Sequence, residues 1–155
     1  MKSIKMRPKK IYLLLTLTTL FVFSPKIFAQ KDLQISKVFE TYGKKKGVVM
    51  TVLSGEMLKE YDFTFFKSIT IKNDPSAATF IRQCLKIDEE GAKKIKQVVV
   101  DGVPASIYLR LPPKGQEHRL ILFNETIKPA RQLTLIYIES EKDSEDVLNI
   151  ILKKK

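Results

Sequence analysis

Few side chains in this 155-residue sequence have the type and spacing that covalent or acid–base chemistry requires. Cys84 is the sole cysteine and His118 the sole histidine, so a Cys–His nucleophilic pair exists only if the fold brings these two together. A reactive thiol needs a lowered pKa and access to solvent. Cys84 instead falls at i+4 from Phe80 and i+3 from Ile81, on the apolar stripe of a helical pattern, and reads as core. His118, between Glu117 and Arg119 at the start of a strand-like run, reads as a solvated strand-end residue. A hydrolase built on His118 and nearby carboxylates stands as an alternative. One histidine and one cysteine cannot supply a His- or Cys-rich metal site. The carboxylates Glu89 and Glu90, and Glu141, Asp143, Glu145 and Asp146, cluster at expected helix starts, where the helix dipole accounts for them. After residue 29 there is no GxSxG, HExxH, P-loop or GxGxxG pattern. No catalytic residue, cofactor or metal is therefore assigned, and the chain is expected not to be an enzyme.

Two groups of residues suit binding better than catalysis. Lys44, Lys45 and Lys46, then Lys93, Lys94 and Lys96, then Lys153–Lys155 are basic clusters that would take anionic lipid headgroups or acidic glycans if they shared one face. Tyr61, Phe63, Phe65 and Phe66 form an aromatic set that would line a partner groove if exposed and would be core if not. Asn124-Glu125-Thr126 matches a glycosylation sequon, a pattern too short to weigh.

The N-terminus has the three parts of an export leader. A basic stretch, MKSIKMRPKK, precedes a 13-residue apolar run, Ile11–Phe23, too short to span a bilayer and stopped by Pro25 and Lys26. Cleavage is expected after Ala29, leaving residues 30–155 as a single domain with a basic tail. Losing Lys2, Lys5, Arg7, Lys9, Lys10 and Lys26 takes the formal charge from +11 to +5, which weakens any nucleic-acid reading. No membrane span follows the leader, and a single cysteine allows no internal disulfide.

Periodicity supplies the elements that would carry these groups. Ile35, Val38, Phe39 and Tyr42 mark a helix face closed by Gly43, and Val48–Leu53 reads as a strand. A short helix from Gly55 to about Tyr61 leads to a second strand, Phe66–Lys72. Ala77, Phe80, Ile81, Cys84 and Leu85 define the clearest helix, with Asp74 or Ser76 as N-cap and Pro75 near N1. Asp88–Glu90 are expected to open another short helix ending near Lys96. From Gln97 on, strands are joined by an Asp101-Gly102 hairpin turn, a turn at Pro112–Gly115 and a loop over 124–131. A closing helix follows Ser140, with Val147, Leu148 and Ile151 inward. The order predicts an α+β fold, a mainly antiparallel sheet of five or six strands with helices packed on one face.

This order of elements, from the opening helix through VVMTVLSGEMLKEY, SITI, FIRQCL, the Asp-Gly turn, SIYLRL and LTLIYIE to the last helix, resembles a group of small secreted domains of unknown function common in Bacteroidetes. It covers about Ile35 to Leu152, and Ser140 stands where that pattern often has glycine. The resemblance implies an envelope or surface protein and supplies no site residues. The sequence thus reads as an exported periplasmic or cell-envelope module that binds a protein or glycan through a sheet edge or the Phe63–Phe66 segment, its oligomeric state open. Cys84 should label slowly with a thiol reagent until denaturant is added, and Cys84→Ala should lower stability by about 1–2 kcal/mol in urea titrations; rapid labelling of the folded protein would reverse the assignment.

Overall fold

Four consecutive apolar residues, Leu120–Phe123, cannot all point to one side of a strand, so this segment must be buried on both faces. The computed structural model, which describes residues 32–153, satisfies that demand. Its elements are α1 (Ile35–Tyr42), β1 (Val49–Ser54), a 3₁₀ helix (Gly55–Tyr61), β2 (Phe63–Lys72), α2 (Pro75–Asp88), β3 (Lys93–Val100), β4 (Val103–Lys114), β5 (Glu117–Thr126), β6 (Gln132–Ser140) and α3 (Ser144–Lys153). The strands form one antiparallel sheet in the order β1-β2-β6-β5-β4-β3. β3 to β6 are a meander, and the β1–β2 hairpin joins it through β2 and β6.

Alternation along the central strands divides the core in two. Ile121 and Phe123 of β5 and Leu133, Leu135 and Tyr137 of β6 pack with Ile35, Val38 and Phe39 of α1 and Ala77, Ile81 and Leu85 of α2. Leu120, Leu122 and Ile138 point the other way, against Leu58 of the 3₁₀ helix and Val147 and Leu148 of α3. Helices thus lie on both faces rather than on one. The expectation of a single helical layer fails because the apolar run of β5 needs cover on each side.

The opening helix, the Gly55–Tyr61 helix and the capped helix over 75–88 form where the periodicity puts them. Asp74 caps α2 by accepting from Ala77 N at 2.9 Å, with Pro75 at the first turn. The expected helix over 88–96 does not form. Asp88 is the last residue of α2, Gly91 turns the chain at φ +78°, and Lys93 opens β3. That segment has too little apolar surface for a helix stripe, and at a sheet edge its lysines reach solvent from either face. Pro112 and Pro113 lie within β4 instead of a turn, at the point where pairing with β5 shifts register between Leu111 and Lys114 and no N–H is needed. Asn124–Thr126 belong to β5, not to a loop, and β2 begins at Phe63 rather than Phe66. Gly43 keeps right-handed helical angles; it is glycine for space, since a Cβ there would lie 2.4 Å from Phe39 O and 2.7 Å from Met50 Sδ.

Two buried carboxylates tie α1 and α2 in place. Asp88 accepts from Gln34 N at 2.7 Å and from Ile35 N at 2.9 Å, so the end of α2 satisfies the first amides of α1. Glu125 of β5 pairs with Arg82 of α2, whose Nε donates to Pro104 O at 3.1 Å, and with Arg131 at 3.4 Å. Replacing Asp88 by Ala strands two amides, and urea denaturation should show a loss of about 2–3 kcal/mol. Asp88→Asn, which keeps one acceptor, should lose less.

Candidate interaction surface

The residues with catalytic potential are not brought together. Cys84 is buried in the core under α1 and α2, where burial first and the negative charge of Asp88 second push its thiol pKa up. His118 faces Ser140 across β5 and β6, at a position that alternates with Leu120 and Leu122 toward the opposite face. The sheet lies between them. Asp143 caps the start of α3 by accepting from Glu145 N at 2.9 Å, and Glu89 pairs with Lys94. Among the described residues, no group of three His, Cys, Asp or Glu side chains is placed to hold a metal ion.

An ionisable network that the sequence did not suggest lies within the first core. Tyr137 Oη donates to Glu139 Oε1 at 2.6 Å. Arg119, opposite Glu139 in register, donates from Nε to Pro112 O at 2.9 Å and from NH1 to Asp32 Oδ2 at 3.1 Å. Burial is the main reason that the Tyr137 phenol and the Glu139 carboxyl both titrate above their ordinary values. Tyr137-x-Glu139 and Arg119 meet only through the β5–β6 register, which no local pattern announces. Tyr137, Glu139 and Arg119 are buried, and only Asp32, at the outer end, is exposed, an arrangement that fixes this side of the core.

The two binding sets are redistributed. Phe63 is buried and Tyr61 and Phe66 pack beside it in the core under α3, whereas Phe65 packs on the opposite face, edge-on to Tyr137 with centroids 6.2 Å apart. A register shift between Phe63 and Phe65 turns the segment over, so the four aromatics are core on two sides rather than one exposed groove. Lys44, Lys45 and Lys46 precede β1, at one margin of the sheet, while Lys93, Lys94 and Lys96 sit on β3 at the other. Five inter-strand steps, roughly 24 Å, separate the margins. Lys154 and Lys155, like the leader, lie outside the described residues. The basic turn has other company: Lys72, Lys128 and Arg131 line an open cavity of about 300 Å³ at the same end of the sheet.

Most of the exposed large apolar residues lie on the two edge strands, with Met57, Ile87, Ile127 and Leu152 scattered singly elsewhere. On the β3–β4 hairpin Ile95, Val98, Val99, Val100 and Val103 reach solvent, Val99 with 52% of its surface, beside Lys93 and Lys96. Register shifts at Lys94/Lys96 and Val98/Val99 bend this edge. β1 is the reverse case, pairing with β2 without interruption and carrying no charge, with Val49 62%, Met50 40% and Val52 50% exposed. The sheet face beside them is polar at one end, where Thr70, Thr134, Asn124 and Ser106 form one row and Ser106 Oγ lies 2.7 Å from Asn124 Oδ1. No helix among the described residues is long and apolar enough to cross a membrane.

Residues 22–151 match the model of a family of unknown function, DUF6108. No curated protein matches the chain.

The buried carboxyl makes a pH-dependent prediction. Glu139 binds its proton more tightly folded than unfolded, so stability falls as pH rises from the ordinary value of 4.5 through the raised folded one. Glu139→Gln keeps an acceptor for Tyr137 and removes this titration. Urea midpoints measured across that window should show the variant gaining on the parent as pH increases; parallel curves would mean the carboxyl titrates alike in both states.

Proposed function

The chain belongs to the DUF6108 family of unknown function, and we propose that this member is an exported, non-enzymatic interaction module that holds a partner protein on its β3–β4 hairpin. The carrying observation is the set of exposed apolar residues Ile95, Val98, Val99, Val100 and Val103 gathered on one hairpin that also bears Lys93 and Lys96. Solvent-exposed apolar residues gathered on one hairpin favour association, and the flanking cations favour acidic groups on whatever docks there. Bulges and lysines are the devices that discourage addition of another strand, so the contact is made by side chains rather than by extending the sheet. The enclosure of the Tyr137–Glu139–Arg119 network supports binding over turnover. Export rests on the leader pattern of residues 1–29, and the periplasm or cell envelope is the compartment it implies.

A second reading draws on the other end of the sheet. Lys72, Lys128 and Arg131 around the 300 Å³ cavity, with the Lys44–Lys46 turn nearby, suit an anionic headgroup or acidic glycan. Salt-sensitive binding to anionic vesicles would favour it.

A photoreactive side chain at position 99, introduced in the producing cell, should yield one discrete adduct in the envelope fraction, and the same group at exposed Lys86 should not. N-terminal sequencing of the recovered protein should begin at Gln30. Equal adduct patterns from both positions, or recovery with an intact leader, would overturn the respective parts. Val99→Asp should weaken capture by roughly ten- to a hundredfold.

A further inference from the structure

The edge opposite the hairpin has a different character. Strand β1 pairs with β2 from Val49↔Thr70 to Ser54↔Phe65 with no bulge, and it carries no charged residue and no proline. Lysines, prolines and bulges are how edge strands ordinarily resist pairing; β3 has lysines and bulges, and β1 has none of the three. Its backbone donors and acceptors on the outer side therefore remain available to another strand.

The sequence around β1 is also complementary to its own reversed copy over the strand's apolar positions. About Thr51, Met50 is opposite Val52, Val49 is opposite Leu53, Val48 is opposite Ser54, Gly47 is opposite Gly55 and Lys46 is opposite Glu56. A twofold symmetric interface requires this property, since each residue must suit the one that its own partner copy presents. The flanking glycines, at φ +80° and +69°, turn the chain off the strand line at both ends and bracket the segment. In that register the exposed Val49, Met50 and Val52 each meet an apolar residue, and no like charges are opposed. Beyond the strand, the basic turn of one copy carries the charge opposite to Glu56 of the other, which in its own chain makes an exposed pair with Lys59 through Oε1.

We propose that β1 is the contact between two copies of this chain, paired antiparallel about Thr51 so that two six-stranded sheets become one continuous twelve-stranded sheet. The axis stands perpendicular to the sheet, because an even register keeps the same faces together. Six residues of edge strand bury less than the ~800 Å² per partner of a standard interface, so the dimer is concentration-dependent rather than permanent. The contact does not depend on what the β3–β4 hairpin holds.

Sedimentation velocity of the purified protein from micromolar to near-millimolar concentration should show a monomer–dimer equilibrium. Met50→Lys alone and Val52→Glu alone should each weaken it by about tenfold or more, with far-ultraviolet circular dichroism unchanged. The two changes together should restore it, because lysine then faces glutamate twice across the axis. Thr51→Cys should form a disulfide-linked dimer, and Val49→Cys, which faces Leu53, should not. A monomer at every concentration, a dimer untouched by both single changes, or cross-linking at 49 in preference to 51 would overturn the proposal. A failure here leaves adduct formation at position 99 unaffected, so the two edges are tested separately.

Discussion

The molecule is organised by the double burial of β5 and β6. Leu120 and Leu122 point to one side, Ile121 and Phe123 to the other, and Leu133, Leu135 and Tyr137 are backed by Ile138. A strand apolar on both faces is stable only under two layers, and each helix has a place fixed by that need. α1 and α2 cover one side; the 3₁₀ helix and α3 cover part of the other. The outer strands have fewer neighbours, and most of the exposed large apolar residues lie there.

Polar contacts then set where the covering layers sit, a job that apolar burial does loosely because it has no direction. Asp88 joins the end of one helix to the start of another, and the Arg82–Glu125–Arg131 group fastens α2 to β5. On the second face, Ser140 Oγ donates to Asp62 O at 2.8 Å and accepts from Lys142 N at 3.0 Å, closing the chain between β6 and α3 over the end of the 3₁₀ helix. Asp88, Glu125 and Ser140 are buried and hydrogen-bonded or ion-paired, so each rewards one arrangement of the layers and penalises displacement from it.

Local features were legible in the sequence where the physics is local. The stripe of α2, its Asp74 cap, the Gly55–Tyr61 turn of helix and the Asp101-Gly102 hairpin depend on residues within a few positions of one another. The helix that the charges of Asp88–Lys96 suggest does not form over Lys93–Lys96, because the strand form there is set by pairing with β4 and a two-sided edge leaves no alternation to find. A single helical layer is incompatible with Leu120–Phe123, whose four apolar side chains divide between the two cores. The Arg119–Glu139 contact could not be read at all, since it exists only once two strands adopt one register. The aromatic cluster was chosen as a surface for its composition, and a register shift in β2 dispersed it.

The sheet order has a kinetic side. β2 finds its inner neighbour in β6, with Ile71 beside Leu133 and Phe66 beside Ile138, partners separated by more than sixty residues. Until the last strand exists, the β1–β2 hairpin has no strand through which to join β3–β5, and loop closure of that length adds to the delay. The first hairpin thus waits for the last strand before it can join the sheet. In a polypeptide built this way the sheet closes last at its centre, and its completion depends on the final strand.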